Sequence, residues 1–377
     1  MRDALGEGTV LGYCTNVHPG RTLDEIKAQL DEHAAGVRER VCPKDELGVG
    51  LWFPASVAWR LAADDKLLDS FKLWLEQRRL FCFGLNGFPY GDFHADVVKH
   101  AVYEPDWSSE RRAEYTRDLV KILARLAPDD VEPLTVTTLP LGWDGAGSDA
   151  ESLHRVTTNA LSARSERDVV LCVEPEPGCT LSRAAHVAEY AWRLGEELPL
   201  GLGTAGVCHD VCHAAVLKLD QRSELKTYRD RKVSVERVQI SSCPVSPRGP
   251  EELGRFIEPR YLHQTTVGDA FFADLPEALS SGLTGESRTH FHVPVHLGSI
   301  GDLATTQNEI APAVRTARHH HRTRVFEVET YAWGVLPDNL QPAALADGIA
   351  RELEWCLENL TKGLADTNSD PLFGGDA

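Results

Sequence analysis

Short apolar, β-branched runs alternate with amphipathic stretches from near the start of the chain almost to its end. This is the βαβα rhythm of a parallel sheet flanked by helices. The runs predict strands over residues 9–14, 48–53, 80–85, 134–139, 169–174, 203–208, 233–241, 289–293 and 324–330. Between them, helical spacing of apolar positions predicts helices over 23–33, 64–79, 110–126, 148–163, 182–194, 221–230, 253–260, 269–280, 305–317 and 342–360. Nine strands are one too many for a closed eight-stranded barrel, so 289–293 is expected to be an extended loop segment. No Gly/Ser linker, charge block or composition shift divides the chain. The economical fold is α/β, a single (β/α)8 TIM barrel over residues 1–361, followed by a flexible tail over 362–377 where periodicity fades.

Composition narrows the function classes. With 57 Asp and Glu against 39 Lys and Arg in 377 residues, the formal charge is −18. Such a surface repels a phosphate backbone, so no nucleic-acid partner is expected. The N-terminus lacks a basic segment followed by an apolar run, and no stretch approaches the ~18 apolar residues of a membrane span. These features predict a soluble, cytoplasmic protein. The nine cysteines form no spaced framework and sit mostly in apolar runs, as Cys82, Cys172 and Cys208 do, which predicts buried reduced thiols. The chain has neither a G-x-G-x-x-G after its first strand nor a P-loop lysine, so dinucleotide and nucleotide-hydrolase readings lose their support.

In a β/α barrel the chemistry lies at the C-terminal ends of the strands. There the chain places Glu174 and Glu176; His209, Asp210 and His213; Gln239, Ser241 and Ser242; His290 and His292; and Glu327 and Glu329. A carboxylate directly after an apolar strand must be paired or desolvated at a cost, which a divalent cation would offset for several at once. Asp210 and His213 stand three apart, a spacing that suits shared ligation and equally suits Asp210 as a helix cap. Strand alternation puts Glu327 and Glu329 on one inward face. In the loop from Asn86 to His94, aromatic residues including Phe88 could stack on a ring substrate or plug the barrel mouth. Asn16 and His18 end the first strand and point to the same mouth; His18 could equally be a buried hydrogen-bonding residue. Trp52, Trp143 and Trp333 end strand candidates and wall the pocket or pack the core. His319, His320 and His321 fall at a helix end, where cations complement the dipole.

Glu174 after one strand, Asp210-x-x-His213 after the next, Gln239, and Glu329 after the last together resemble the xylose isomerase-like barrel superfamily, which includes sugar epimerases and endonuclease IV. The resemblance implies divalent-metal ligands at Glu174, Asp210, Gln239 and Glu329, with His213 matching the histidine of the D-x-x-H element. His290 or His292 resembles the imidazole-bearing loop of endonuclease IV. Two departures stand out. Gln239 occupies the expected histidine position, and an amide is a weaker zinc ligand than imidazole though acceptable to Mn²⁺ or Mg²⁺. The early histidines of endonuclease IV are absent, with Asn86-Gly87-Phe88 and Leu139-Pro140-Leu141 in their place.

Over nearly the whole length the chain is similar to the EboE-type metabolite-traffic proteins, in Gly12-Tyr13-Cys14-Thr15-Asn16, the 85–94 loop, Glu174-Pro175-Glu176-Pro177-Gly178-Cys179, His290-Phe291-His292-Val293-Pro294-Val295 and Glu327-Val328-Glu329-Thr330-Tyr331. The expectation is a metal-dependent sugar or cyclitol isomerase or epimerase that processes or moves a metabolite precursor. Glu174 and Glu329 would act as acid and base, and His213 or His292 would orient substrate. The cofactor would be Mn²⁺, Zn²⁺ or Mg²⁺, and Asn16, His18, Asn86, Phe88, Trp143, Glu176 and His290 would line the pocket. The alternative is a carrier that kept the pocket without turnover. Expected partners are the small molecule itself and either a second copy of the chain or products of the same gene cluster.

Overall fold

The computed structural model describes residues 1–143, 169–197 and 205–361, with side chains of 192–197 and 205 outside the description. The predicted helix 148–163, the start of strand 203–208 and the tail 362–377 lie outside the described residues. Eight strands form the barrel: β1 (Val10–Cys14), β2 (Leu47–Trp52), β3 (Leu80–Asn86), β4 (Leu134–Thr138), β5 (Val169–Val173), β6 (Ala205–Asp210), β7 (Val235–Ile240) and, after an insertion, β14 (Val325–Val328). They pair in parallel around a closed ring, with β14 bonded to β1 and β7. Most of these strands are almost wholly buried, as expected of a parallel sheet covered on its outer face by helices.

The helices begin where local chemistry tells them to. Thr22 caps Leu23–Gln29 by accepting from Glu25 N, Asp64 caps Asp65–Gln77, and Asp220 caps Gln221–Asp230. Pattern reading missed Ala55–Ala63, which starts after Pro54 and ends at the Asp64 cap of its successor. The predicted 23–33 helix runs on through a π-turn, Leu30–Ala34, into Ala35–Val41. Among the described residues, no helix is long and apolar enough to cross a membrane.

The largest departure from the pattern lies between β7 and β14. Six short strands, β8 (Pro244–Ser246), β9 (Thr265–Val267), β10 (Ala270–Phe272), β11 (Ser287–Thr289), β12 (Ser299–Ile300) and β13 (Leu303–Thr305), form a second, antiparallel sheet. The expected extra segment 289–293 is thus outside the barrel, with Thr289 its one residue in a strand. The predicted helix 253–260 is instead a 3-10 turn, Pro250–Phe256. The predicted helix 269–280 divides into β10, reached through Gly268 at φ +57°, and Leu275–Ser280, started by the Asp274 cap. Strands of two or three residues carry too little alternation to stand out in sequence.

Inside the barrel, below its mouth, the Arg237 guanidinium bonds the Glu327 carboxylate, and both side chains are fully buried. The pair fits because two neighbouring strands present glycine. A Cβ on Gly50 would stand 1.6 Å from Glu327 Oε1, and one on Gly84 would stand 2.9 Å from an Arg237 nitrogen. All nine cysteines are buried, as expected. Burial pushes the Cys82 thiol up to about 12, and it also raises Cys14, Cys172 and Cys208.

Candidate active site

The mouth is built from residues at or just beyond the strand ends. Asn86 closes β3, Asp210 closes β6, Glu174 follows β5, Glu329 follows β14, and Asn16 lies two residues past β1. Glu329 Oε1 accepts from Asn16 Nδ2 at 2.6 Å and from Asn86 Nδ2 at 3.2 Å, which fixes the carboxylate and leaves Oε2 without a partner. Asp210 performs the capping anticipated for it. Its Oδ1 accepts from His213 N at 2.9 Å and from Ser241 Oγ at 2.7 Å, while Oδ2 is buried without a bond. Capping therefore uses one oxygen and leaves the other free, so the two readings of Asp210 are compatible.

The three histidines of the site share one orientation. His213 Nδ1 lies 2.8 Å from the Pro175 carbonyl oxygen, and His292 Nδ1 lies 2.6 Å from that of Glu329. A carbonyl only accepts, so both Nδ1 atoms carry hydrogen. Gln264 donates through Nε2 to Glu176, Tyr103 and Pro177, so its Oε1 faces His290 Nδ1 at 2.8 Å and requires the same tautomer. All three rings turn Nε2 inward. His290 Nε2 and His292 Nε2 stand 3.2 Å apart. Two lone pairs at that separation repel unless a proton or a cation lies with them. Such bonding of Nδ1 to a protein oxygen is the arrangement that orients metal-binding imidazoles.

Burial raises Glu174 to about 8 and pushes Glu329 well above the carboxylate range, with neighbouring acids adding to both shifts. Burial would also raise Asp210, but His213, His292 and its two hydrogen bonds outweigh that and hold it low. For His213, burial favours the neutral ring, yet Asp210, Glu176 and Glu174 win and raise it well above its ordinary value. Its Nε2 is 3.0 Å from Glu176 Oε2. Burial, followed by the charge of neighbouring imidazoles, keeps His290 well below the usual histidine range.

The donor set is compatible with a divalent cation. Glu174 Oε2, Asp210 Oδ2, Glu329 Oε2 and both amide atoms of Gln239 are buried without hydrogen-bond partners. Such orphans are costly unless something meets them. One ligand atom from each of Glu174, Asp210 and Glu329 lies within 4.8 Å of the other two, and the same holds for Asp210, His213 and His292. A cation arriving there would displace the proton on His213. Gln239 pairs in register with Asp210 on one side and Glu327 on the other.

Beside these groups is a cavity of about 520 Å³, part of it open solvent. Asn16, Asn86, Phe88, Glu174, Glu176 and Glu329 line it, together with His213, His290 and His292. Two pocket candidates do not line it. His18 bonds Tyr13 Oη at 3.1 Å and stacks on His33, while Trp143 packs behind Tyr103 with ring centroids 5.0 Å apart. Both are drawn into aromatic packing one layer back. Trp52 and Trp333 likewise bond to Pro89 O and Glu352. His209 alternates outward to Gln221 at 2.8 Å, and Glu327 serves Arg237 below the mouth. Pattern reading missed Tyr103, Tyr261, Leu262 and Tyr331. Tyr331 alone carried a signal, since it follows Glu329 by two residues; Tyr261 and Leu262 come from the irregular insertion.

No family model matches the chain, and no curated protein matches it. Among solved structures it is similar to a xylose isomerase-like TIM barrel protein from Mycobacterium smegmatis in complex with magnesium. That match has 12% identity and a TM-score of 0.54, covering 94% of this chain and 98% of that one. It is also similar to a D-allulose 3-epimerase from Methylomonas sp. in complex with D-allulose, at 10% identity and a TM-score of 0.52, covering 93% of this chain and 98% of that one. What is shared is the fold.

Proposed function

We propose that residues 1–361 form one barrel domain that acts as a metal-dependent isomerase or epimerase on a sugar, a cyclitol or a related hydroxy-carbonyl compound. In keeping with the resemblance to EboE-type proteins, it would process or move a metabolite precursor. The observation that carries this reading is the buried meeting of Glu174, Asp210 and Glu329, each with an oxygen that has no protein partner. Those three, with Gln239 and His213, would hold the cation; when bound, it would polarise a carbonyl and its neighbouring hydroxyl. Glu174, with an oxygen that has no protein partner, would take a proton from the carbon beside the carbonyl and return it. Glu329 is held by Asn16 and Asn86 with its second oxygen free, and would serve the opposite transfer. His292 and His213, locked through Nδ1, would orient substrate oxygens. The fold neighbour named as a D-allulose 3-epimerase is of this reaction class.

The test is deuterium wash-in from D₂O next to the carbonyl of candidate ketoses and cyclitol ketones, with Mn²⁺ supplied. Exchange that disappears in Glu174→Gln and Glu329→Gln supports the reading. A ligand recovered tightly bound and unexchanged would favour the carrier, for which the unpartnered amide of Gln239 in place of an imidazole is the favouring observation.

A further inference from the structure

The cavity has two chemistries, divided by where its residues come from. Strand ends and the Glu176 and histidine positions supply polar groups, whereas the loops supply rings and aliphatic side chains. Phe88 and Tyr103 have ring centroids 6.0 Å apart. Phe93, Tyr261 and Tyr331 form a second group, with centroids at 5.0 Å for Phe93 to Tyr261, 5.4 Å for Phe93 to Tyr331 and 5.0 Å for Tyr261 to Tyr331. Val98 and Leu262 also line the cavity. Tyr331 lies 4.7 Å from the His292 ring, so the second aromatic group adjoins the imidazoles. A substrate whose head reaches His292 therefore has its next atoms against Tyr331.

Two polar groups in this wall are already engaged. The Tyr103 hydroxyl donates to Glu176 at 2.9 Å and accepts from Gln264 at 2.8 Å. Lys99, the one lysine or arginine lining the cavity among the described residues, is paired with Asp274 at 2.7 Å. Hydroxyls on a substrate body would leave water for a mainly carbon wall in which the Tyr261 hydroxyl stands without a partner, whereas a ring would gain burial and aromatic stacking.

Resting on the isomerase reading, we propose that the substrate pairs its hydroxy-carbonyl head with an apolar or aromatic ring body, and that a polyol or phosphorylated body is disfavoured. Three probes share the head HOCH₂–CO– and differ only in the body: 2-hydroxyacetophenone, dihydroxyacetone and dihydroxyacetone phosphate. Their affinities for the full chain with Mn²⁺ are to be measured by calorimetric titration. The phenyl compound should bind roughly tenfold more tightly than dihydroxyacetone, about what ring stacking in a buried site yields. The phosphate ester should bind no better than dihydroxyacetone. Phe93→Leu should remove most of the phenyl advantage, read as the ratio of the two affinities. Equal affinities, preference for the phosphate ester, no measurable binding of the phenyl compound, or an advantage that survives Phe93→Leu would each overturn the proposal. Deuterium exchange, read separately on the same probes, tells the two failures apart. Phenyl preference without exchange sinks the isomerase and spares the wall; exchange without phenyl preference does the reverse.

Discussion

Along β7, and along β14 with the residue that follows it, the inward polar residues come in pairs two positions apart: Arg237 and Gln239 in one, Glu327 and Glu329 in the other. The lower pair joins Arg237 to Glu327 and cancels its own charge, although Arg237 Nε and Glu327 Oε1 each remain without a bond. One layer up, Glu329 meets Glu174 and Asp210 with Gln239 in register beside Asp210, and among the described residues no guanidinium or ammonium bonds these carboxylates. Both layers are buried, and strand alternation is the same in both. Depth below the mouth is the difference. The lower layer is finished by the protein itself, while the upper one stays incomplete until something enters from the cavity. Glu352 offers a third case. This buried carboxyl accepts from Thr330 Oγ1, Val295 N and Trp333 Nε1, all neutral donors.

The largest effect should come from unpairing the lower layer. Arg237→Ala leaves Glu327 buried without a counter-charge and should cost about 3–5 kcal/mol in urea unfolding, most of it restored when Glu327→Gln is added. A cost below about 1 kcal/mol would erase the distinction between the layers. In the upper layer, Glu329→Gln should leave stability within about 1 kcal/mol, because it relieves clustered acids. The same change should lower deuterium exchange about 100- to 10,000-fold. Mn²⁺ at about 100 times its Kd should stabilise the wild type by about 2.7 kcal/mol. Asp210→Asn keeps a capping oxygen for His213 N and should lose that gain; a metal-induced Tm shift that persists would show that Asp210 only caps.

The smallest effect concerns Glu352, which burial raises from 4.5 to about 7. Because its pKa is higher in the folded state, the folded protein binds the proton more tightly. The stability this lends is complete below the unfolded value of 4.5 and is lost as pH rises through about 7. Between about pH 5 and 8 the loss should reach about 2 kcal/mol. Glu352→Gln should flatten that slope relative to wild type in parallel urea titrations at each pH.

Much of the barrel is legible in the order of residues alone. Barrel strands such as Leu80–Asn86 are largely apolar runs, and covering helices such as Glu110–Leu126 repeat an apolar stripe, so both are written in neighbouring residues. Glu174, Asp210 and Glu329 are legible because a carboxylate ending an apolar run violates the local pattern. The same logic overreaches at Glu327, whose partner Arg237 is 90 residues away, and at His209, where one step of alternation turns the side chain outward to Gln221. His18 and Trp143 end strands, which points to the mouth, yet aromatic neighbours from other elements claim both.

The sequence by itself determined the alternating order of strands and helices and the acids at the mouth, since these follow from periodicities of two and 3.6 residues that act locally. Tertiary structure alone decided which oxygens would be left without partners, how His290 and His292 would bring their Nε2 atoms together, and that Tyr261 and Tyr331 would join Phe93 in one wall. Those outcomes depend on barrel register and on an insertion of very short strands. Register and insertion bring together residues far apart in the chain, and no local pattern of apolar and polar positions records such meetings.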